Sequence, residues 1–258
     1  MGVEQMNPAE TYETYMGPAL FAPCADRLIA AAKPSPGLRV LDLACGTGIV
    51  ARRIAPLLDG GGTVTGLDIS PGMLTVARDR SVSEGVSIEW VEGRAEHLPF
   101  VDGAFDLVAC QFGLMFFQDR QAALAEILRV LSPGGMVAIH VFQEIERHPF
   151  YLRLDNVIKA RFGMSGVGDI FSLGNRDRLH DLVAAEGFGR IDIKPFELVA
   201  RFPDPNSFLT GEIAVDTAAI PEMQDFNSDA RSEMVASIAS GMRDALREVT
   251  DGDHVAMQ

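Results

Sequence analysis

LDLACGTG, residues 41–48, is the stretch that decides the fold. An apolar strand ends in an acid, Asp42, and a glycine-rich turn then enters a helix. Ile49, Val50, Ile54, Leu57 and Leu58 make one face of that helix apolar. Gly46 and Gly48 let the backbone turn sharply and approach a ligand with no side chain in the way. The helix N-terminus presents free N–H groups beside that ligand. The pattern is that of a nucleotide-type site.

Two cofactor classes compete for it. Gly46 to Ala51 satisfies G-x-G-x-x-A, and Asp68 follows at the spacing of a ribose-binding acid, which suits a nicotinamide or flavin dinucleotide. Asp42 argues the other way, because a carboxylate beside a pyrophosphate repels it. The same carboxylate suits a ligand whose end there carries an ammonium group. S-adenosyl-L-methionine has that ammonium, a ribose for Asp68, and a sulfonium in place of phosphates.

Composition narrows the partners. The 258 residues fit one α/β domain with a small appendage, and 47% apolar residues supply an ample core. Net charge is −14, of which residues 203–258 carry −8 through 11 acids and 3 basic residues. Such a surface repels phosphate backbones, so no nucleic acid is expected as a partner. Cys24, Cys45 and Cys110 show no metal or disulfide spacing, and no metal is expected. MGVEQMNPAE lacks the apolar core of a signal peptide, and Met6 breaks the myristoylation pattern. No apolar run reaches membrane-spanning length, so a cytoplasmic protein without a membrane span is expected. The sequence carries no signal of oligomeric state.

Along the chain, residues 7–32 read as helical until Lys33 to Gly37, with two prolines, break the pattern. Strands are predicted at Arg39 to Leu43, Thr63 to Leu67, Ile88 to Glu92, Phe105 to Cys110 and Met136 to Val141. Ser132 to Gly135 reads as a turn before the last of these. Ser70 and Asp119 are predicted helix caps, with Gly85 stopping the first helix. Residues 143–172 read as irregular helix, and Asn175 caps another helix ending at Gly187. Ile191 to Phe202 reads as a long strand with Pro195 at a bulge or edge. Ser228 to about Thr250 is an amphipathic helix, and His254 to Met257 a short final strand. Strands alternating with helices imply a parallel sheet covered by helices on both faces. Ligands bind at the carboxyl ends of such strands, which gathers Asp42, Asp68, Arg94, Gln111 and His140.

The order of motifs resembles the class I S-adenosylmethionine-dependent methyltransferases, in particular the small-molecule branch with the ubiquinone and menaquinone biosynthesis enzymes. LDLACGTG matches the first motif, and TGLDIS followed by PGML the second. GRAEHLPF, FDLVACQFGLMFF and RVLSPGGMVAIH match the adenine loop, the fourth strand and the fifth. The resemblance implies an α/β, Rossmann-like, open, mostly parallel seven-stranded sheet with helices on both faces and a small helical cap. The segments are then an N-terminal helical lid (1–34), the cofactor-binding core (35–142), a helical cap insertion (143–174), and the C-terminal part of the core with an additional helical segment (175–258).

The same resemblance implies that the turn around Ala44, Gly46 and Gly48 holds the methionine moiety. Asp68 accepts both ribose hydroxyls, Ile69 and Met73 line the adenine, and Ala95 offers it a backbone N–H. Arg94 departs from the family, where an aspartate often accepts from the adenine amino group. Arginine cannot accept, so another acceptor is needed, and Glu96 is the candidate. Gln111 lies beside the methyl group.

His140, at the end of strand five, is the candidate general base; a core histidine with a satisfied hydrogen bond is the other reading. His148 is a weaker candidate of the same kind. Tyr12 and Tyr15 fit a lid over the cofactor and, equally, a packed amphipathic helix; Tyr15 joins His140 as a candidate catalytic residue. Met115 to Phe117 and Phe150 to Phe171 fit an apolar substrate pocket or ordinary core. The expected function is methyl transfer to a small, apolar or aromatic molecule. An S-adenosylmethionine-binding protein that no longer methylates is the alternative, and a nicotinamide-dependent dehydrogenase the third reading.

Overall fold

A computed structural model describes residues 8–163, 166–202, 208–209, 227–252 and 254–257. Their helices are α1 (Pro8–Thr11), α2 (Ala22–Ala32), α3 (Ile49–Ile54), α4 (Pro71–Glu84), α5 (Arg120–Val130), α6 (Pro149–Phe162), α7 (Arg176–Ala185) and α8 (Ser228–Val249). The strands are β1 (Arg39–Leu43), β2 (Thr63–Asp68), β3 (Glu89–Glu92), β4 (Phe105–Gln111), β5 (Leu131–His140), β6 (Ala200–Phe202), β7 (Thr250–Asp251) and β8 (His254–Met257). The chain forms two compact units. One takes Phe21–Phe142 and Asn175–Lys194; the other draws on residues within 1–20, 143–174 and 195–258.

The first unit is built on a five-stranded parallel sheet in the order β3-β2-β1-β4-β5. Beyond Arg39 every residue of β1 is buried, as a central parallel strand covered on both faces must be. Val40, Val64 and Leu107 pack with Leu28, Val50, Ile54 and Leu58 from the helices. The chain runs from β1 outward to β3 and then returns to the other side of β1 with β4. That reversal places the topological switch point between β1 and β4, where a crevice opens at the carboxyl ends. The helix signals act as the sequence implies. Ser70 Oγ accepts from Met73 N–H, Asp119 from Ala122 N–H, and Asn175 from Arg178 N–H. Gly85 closes α4 in a left-handed conformation.

Two expectations are corrected. Among the described residues the parallel sheet has five strands, not seven, and no long strand spans Ile191 to Phe202. Only Ala200–Phe202 is a strand, and it pairs antiparallel with β8 in a separate three-stranded sheet, β6-β8-β7. The reason lies at Lys194–Pro195. Ile191 and Ile193 alternate with exposed Asp192 and Lys194, but beyond Pro195 the half-buried positions are Phe196 and Leu198. The alternation slips by one residue at a proline that has no N–H to give a ladder, and the unit boundary falls at the same point. Second, Ser132 to Gly135 is not a turn before β5 but part of it. Phe105 pairs with Leu131 and Leu107 with Met136, so five residues of β5 run against two of β4 as a bulge. Ser132 Oγ fixes the bulge by donating to Asp106 Oδ1 at 2.9 Å.

α1, in the second unit, passes into π-helical turns over Tyr12–Phe21, the last residue of which begins the first unit. Pro18 lies inside them, and a wider helix relieves the clash its ring makes with the carbonyl four residues back. On α6, buried Asp155 pairs with Lys159 Nζ at 2.7 Å and accepts from Gly168 N–H at 2.9 Å, tying the turn Val167–Phe171 to the helix. α8 packs on α6 and buries Met234, Ile238, Met242 and Ala245. Residue 7 and Met164, which the sequence reading included in a helix and an apolar stretch, lie outside the described residues.

Candidate functional site

The turn after β1 is locally strained and locally fixed. Ala44, Gly46 and Gly48 all have positive φ (55°, 55° and 81°). For Ala44 that conformation costs roughly 1–2 kcal/mol, the kind of strain that collects at functional sites. Cys45 N–H donates to Leu67 O at 3.0 Å, and Gly46 N–H to Asp68 Oδ2 at 2.8 Å. The turn after β4 is strained in the same way, with Phe112 at φ 54°. The two turns press together: a Cβ on Gly113 would lie 2.6 Å from the Ala44 Cβ.

Trp90 is the residue that sequence reasoning missed. A side chain at Gly48 or at Gly66 would overlap its indole ring, whose Nε1 donates to Ser81 Oγ at 3.3 Å. Gly48 therefore makes room for a tryptophan beneath the turn as well as for close approach above it. The available signal was an indole on β3 opposite a glycine in β2, since Trp90 pairs in register with Gly66.

Asp42 and Asp68 close β1 and β2. Asp42 is 1% exposed, and its Oδ2 accepts from Ala51 N–H at 2.9 Å in the first turn of α3. Burial pushes its carboxyl up to about 7; the nearby Asp68 charge adds to the rise, and the Ala51 N–H and the Arg52 charge oppose it. Asp68 accepts from Gly46 N–H through one oxygen and from Ser70 N–H through the other, at 2.8 and 2.9 Å. Burial raises its carboxyl as well. Asp68 thus latches the glycine turn to the start of α4, and each oxygen keeps a lone pair for a further donor. Neither acid forms an ion pair among the described residues.

Next to Asp68, Ile69 is 56% exposed and Met73 half-buried. The loop after β3 follows, tied in by Gly93 N–H to Asp68 O at 3.0 Å. Ala95 is buried, and its N–H donates to no group among the described residues. Arg94 Nη2 donates to Gln118 Oε1 at 2.9 Å, and its Nε lies 3.5 Å from Glu96 Oε2. Glu96 Oε1 accepts from Gln118 N–H at 2.9 Å. Glu96, the candidate acceptor for an adenine amino group, also joins the loops after β3 and β4, and its carboxylate keeps lone pairs for a further donor.

At the other side of the crevice, Gln111 and His140 are register partners at the ends of β4 and β5. Gln111 Nε2 donates to Phe21 O at 3.1 Å, which leaves its buried Oε1 as an acceptor without a donor. Phe112 stacks on Phe142 at 4.2 Å and lies 6.0 Å from the His140 ring. Burial lowers His140 to about 4, so the imidazole is neutral at physiological pH. Cys45 and Cys110 are buried thiols pushed up, Cys110 to about 12, and are poor nucleophiles. Tyr15 belongs to the second unit, where its ring stacks on Phe202 at 6.0 Å. His148 lies there too, 5.0 Å from the Phe171 ring. Among the described residues no group of His, Cys, Asp or Glu is arranged to hold a metal ion, and no helix is long and apolar enough to cross a membrane.

The donor and acceptor set fits a cationic nucleoside rather than a phosphate. Two buried acids border a glycine turn, one able to take a diol, and the N–H of buried Ala95 has no acceptor among the described residues. Comparison with known proteins agrees. A family model described as a methyltransferase domain matches residues 41–139. A ubiquinone/menaquinone biosynthesis C-methyltransferase from Stenotrophomonas maltophilia is 43% identical over 119 residues, 45% of this chain and 47% of that protein. An uncharacterized protein from Mycobacterium bovis is 38% identical over 124 residues, 48% of this chain and 44% of its own length. The chain therefore aligns with about half the length of these curated relatives. Among solved structures, the YcgJ protein of Bacillus superposes with a TM-score of 0.59 at 20% identity, covering 90% of this chain and 92% of the other. The [4+2]-cyclase SpnF gives 0.57 at 24% identity, covering 92% and 78%. At those identities the superpositions establish the fold.

Proposed function

We propose that this chain, whose residues 41–139 match a methyltransferase-domain model, is a class I methyltransferase that binds S-adenosyl-L-methionine at the β1–β4 switch point and transfers a methyl group to a small, apolar or aromatic molecule. The observation that carries the reading is the pair of buried carboxylates, Asp42 and Asp68, bordering the glycine turn with both carboxyls raised although the Arg52 charge partly offsets Asp42. A dinucleotide would bring phosphates to that place and raise both carboxyls further. A ligand with an ammonium and a sulfonium brings positive charge that lowers both.

In this reading Asp68 accepts from the ribose hydroxyls while still holding Gly46 and Ser70, so the turn and the nucleoside are positioned by one side chain. Ala44, Gly46 and Gly48 flank the amino-acid tail, with Asp42 compensating its ammonium through the turn. Ile69 and Met73 give the base an apolar face, and Ala95, Arg94 and Glu96 form its edge. Gln111 stands next to the reacting end. The bound cofactor supplies a methyl group already activated on a sulfonium, so no covalent enzyme intermediate is needed. What the protein adds is alignment of donor and acceptor, worth several orders of magnitude in rate. His140 is the base that takes a proton from the acceptor, and its low basicity matches an acceptor that gives up its proton readily. The Phe112–Phe142 stack gives the site an aromatic wall, which supports a flat apolar substrate.

Calorimetric titration with S-adenosyl-L-methionine, its demethylated product and a nicotinamide dinucleotide tests the assignment. Binding of the first two is expected, with release of protons near pH 7 as Asp42 ionises beside the ligand. Tighter binding of the nicotinamide dinucleotide would overturn it.

A further inference from the structure

The left-handed backbone at Ala44, Gly46 and Gly48 persists only where its surroundings over-determine it. The first part of the turn is held by Leu67 O and Asp68, which take Cys45 N–H and Gly46 N–H. Gly48 N–H turns back to Cys45 O at 2.8 Å, inside the turn itself. What lies against Gly48 from outside is the indole of Trp90. A Cβ on Gly48 would overlap Cη2 of the ring and stand 2.9 Å from Cζ3, so the outer edge of the indole abuts the bare glycine. The same ring fills the space beside Gly66 in β2, where a Cβ would overlap Cζ3 and Cε3 and lie 3.2 Å from Cys45 Sγ. Because interiors are close-packed, a ring in that place stops the turn from sinking toward the sheet.

The indole is itself fixed. Its Nε1 donates to Ser81 Oγ at 3.3 Å, and buried Ser81 donates in turn to Arg78 O at 2.9 Å on α4. The start of α4 is tied to the same turn, since Asp68 takes both Ser70 N–H and Gly46 N–H. One helix therefore reaches the turn twice, by a carboxylate at its N-terminus and through an aromatic ring about three turns further along. We propose that Trp90 is a positioning residue for the cofactor: its indole props Gly48 and sets the turn against the amino-acid tail of the ligand, acting through Gly48 rather than on the ligand. The inference rests on the reading of the crevice as an S-adenosyl-L-methionine site and adds the residue that keeps the turn in its binding shape. In that reading the tail meets the turn, while the adenosine half meets Asp68, Ile69 and residues 94–96. Loss of the prop therefore falls on one half of the ligand.

The test is calorimetric titration of the full chain with S-adenosyl-L-homocysteine, which has the tail, and with 5′-methylthioadenosine, which lacks it and is measured by competition with the first. Trp90→Leu keeps an apolar residue on β3 and removes the ring. It is expected to weaken S-adenosyl-L-homocysteine about tenfold or more and 5′-methylthioadenosine less than about twofold. Trp90→Phe lacks the outer ring edge and Nε1 but leaves a smaller gap. It is expected to shift the same ratio in the same direction by a smaller factor, and it carries the test if Trp90→Leu does not fold. Thermal melting reports folding. Leu124→Ala, at a buried position of α5, is the control and is expected to melt lower with unchanged affinity for S-adenosyl-L-homocysteine. Equal losses for the two ligands, unchanged affinities in a folded Trp90 variant, or a matching loss in the control each overturn the inference and leave the site reading intact. If the wild type binds neither ligand, the site reading and the inference fall together.

Discussion

The two ends of the same parallel strands treat their acids in opposite ways. At the amino end, Asp106 of β4 faces Arg39 of β1, taking Arg39 N–H at 3.0 Å and its guanidinium at 3.0 and 2.7 Å. Those donors hold the Asp106 carboxyl far below the usual carboxylate range. At the carboxyl end, Asp42 and Asp68 are buried with backbone N–H partners and no ion pair among the described residues, and both carboxyls are raised although the Arg52 charge lowers Asp42 in part. One end pairs its acid with a guanidinium, while the other keeps its acids buried on backbone N–H groups. The contrast separates acids that join strands from acids kept for a ligand.

The largest expected effect tests the reacting side of the carboxyl end. His140→Ala should lower the methyl-transfer rate about 10²–10⁴-fold with cofactor affinity nearly unchanged. For a base near 4, the wild-type rate should rise with pH through about 4 and be flat across 6.5. Full turnover in the variant, or an inflection at 6.5, would remove His140 from the reaction.

Asp68→Ala should weaken cofactor binding about tenfold to 150-fold, as expected for lost hydrogen bonds to a charged acceptor. Because Gly46 and Ser70 lose their acceptor too, a lower melting temperature should accompany it. An unchanged dissociation constant would move the ribose elsewhere.

Asp42 gives the comparison a pH signature. Its folded-state carboxyl lies near 7 against an ordinary value of 3.8, so between these pH values the folded chain binds more protons than the unfolded chain. Stability therefore falls as pH rises through that window, by up to about 1.4 kcal/mol per unit, and Asp68 adds with the same sign. Asp42→Asn keeps an acceptor for Ala51 N–H and should flatten the slope, which denaturant unfolding at several pH values would measure. An unaltered slope would mean that the carboxylate is not carrying the charge cost assigned to it.

The smallest effect belongs to the amino end. Asp106→Ala should cost about 0.2–1 kcal/mol, as for an exposed ion pair, and leave cofactor affinity within error. A large loss of affinity there would erase the distinction between the two ends.

Much of this was legible because it is local. The apolar runs of β1 and β2, the caps Ser70, Asp119 and Asn175, and the Gly85 stop each depend on a few consecutive residues. Asp42 and Asp68 were found because strand ends in such sheets are where ligands bind. The π-helical turns over Tyr12–Phe21 left no such mark, since their apolar residues do not follow a helical stripe. The five-strand count also escaped, because Ile191 to Phe202 is a good strand sequence whose phase slips at Pro195.

By itself, then, the sequence determined the order of strands and helices, the glycine turn with its acids, and the class of cofactor, because short-range periodicity and turn chemistry encode them. Only tertiary structure decided what each polar group is used for. It set Glu96 to bracing two loops, Asp42 to the α3 N-terminus and Gly48 to clearance for Trp90. A side chain's partners come from strands brought together across the sheet, and burial there shifts carboxyls and imidazole by amounts that no neighbour in sequence specifies.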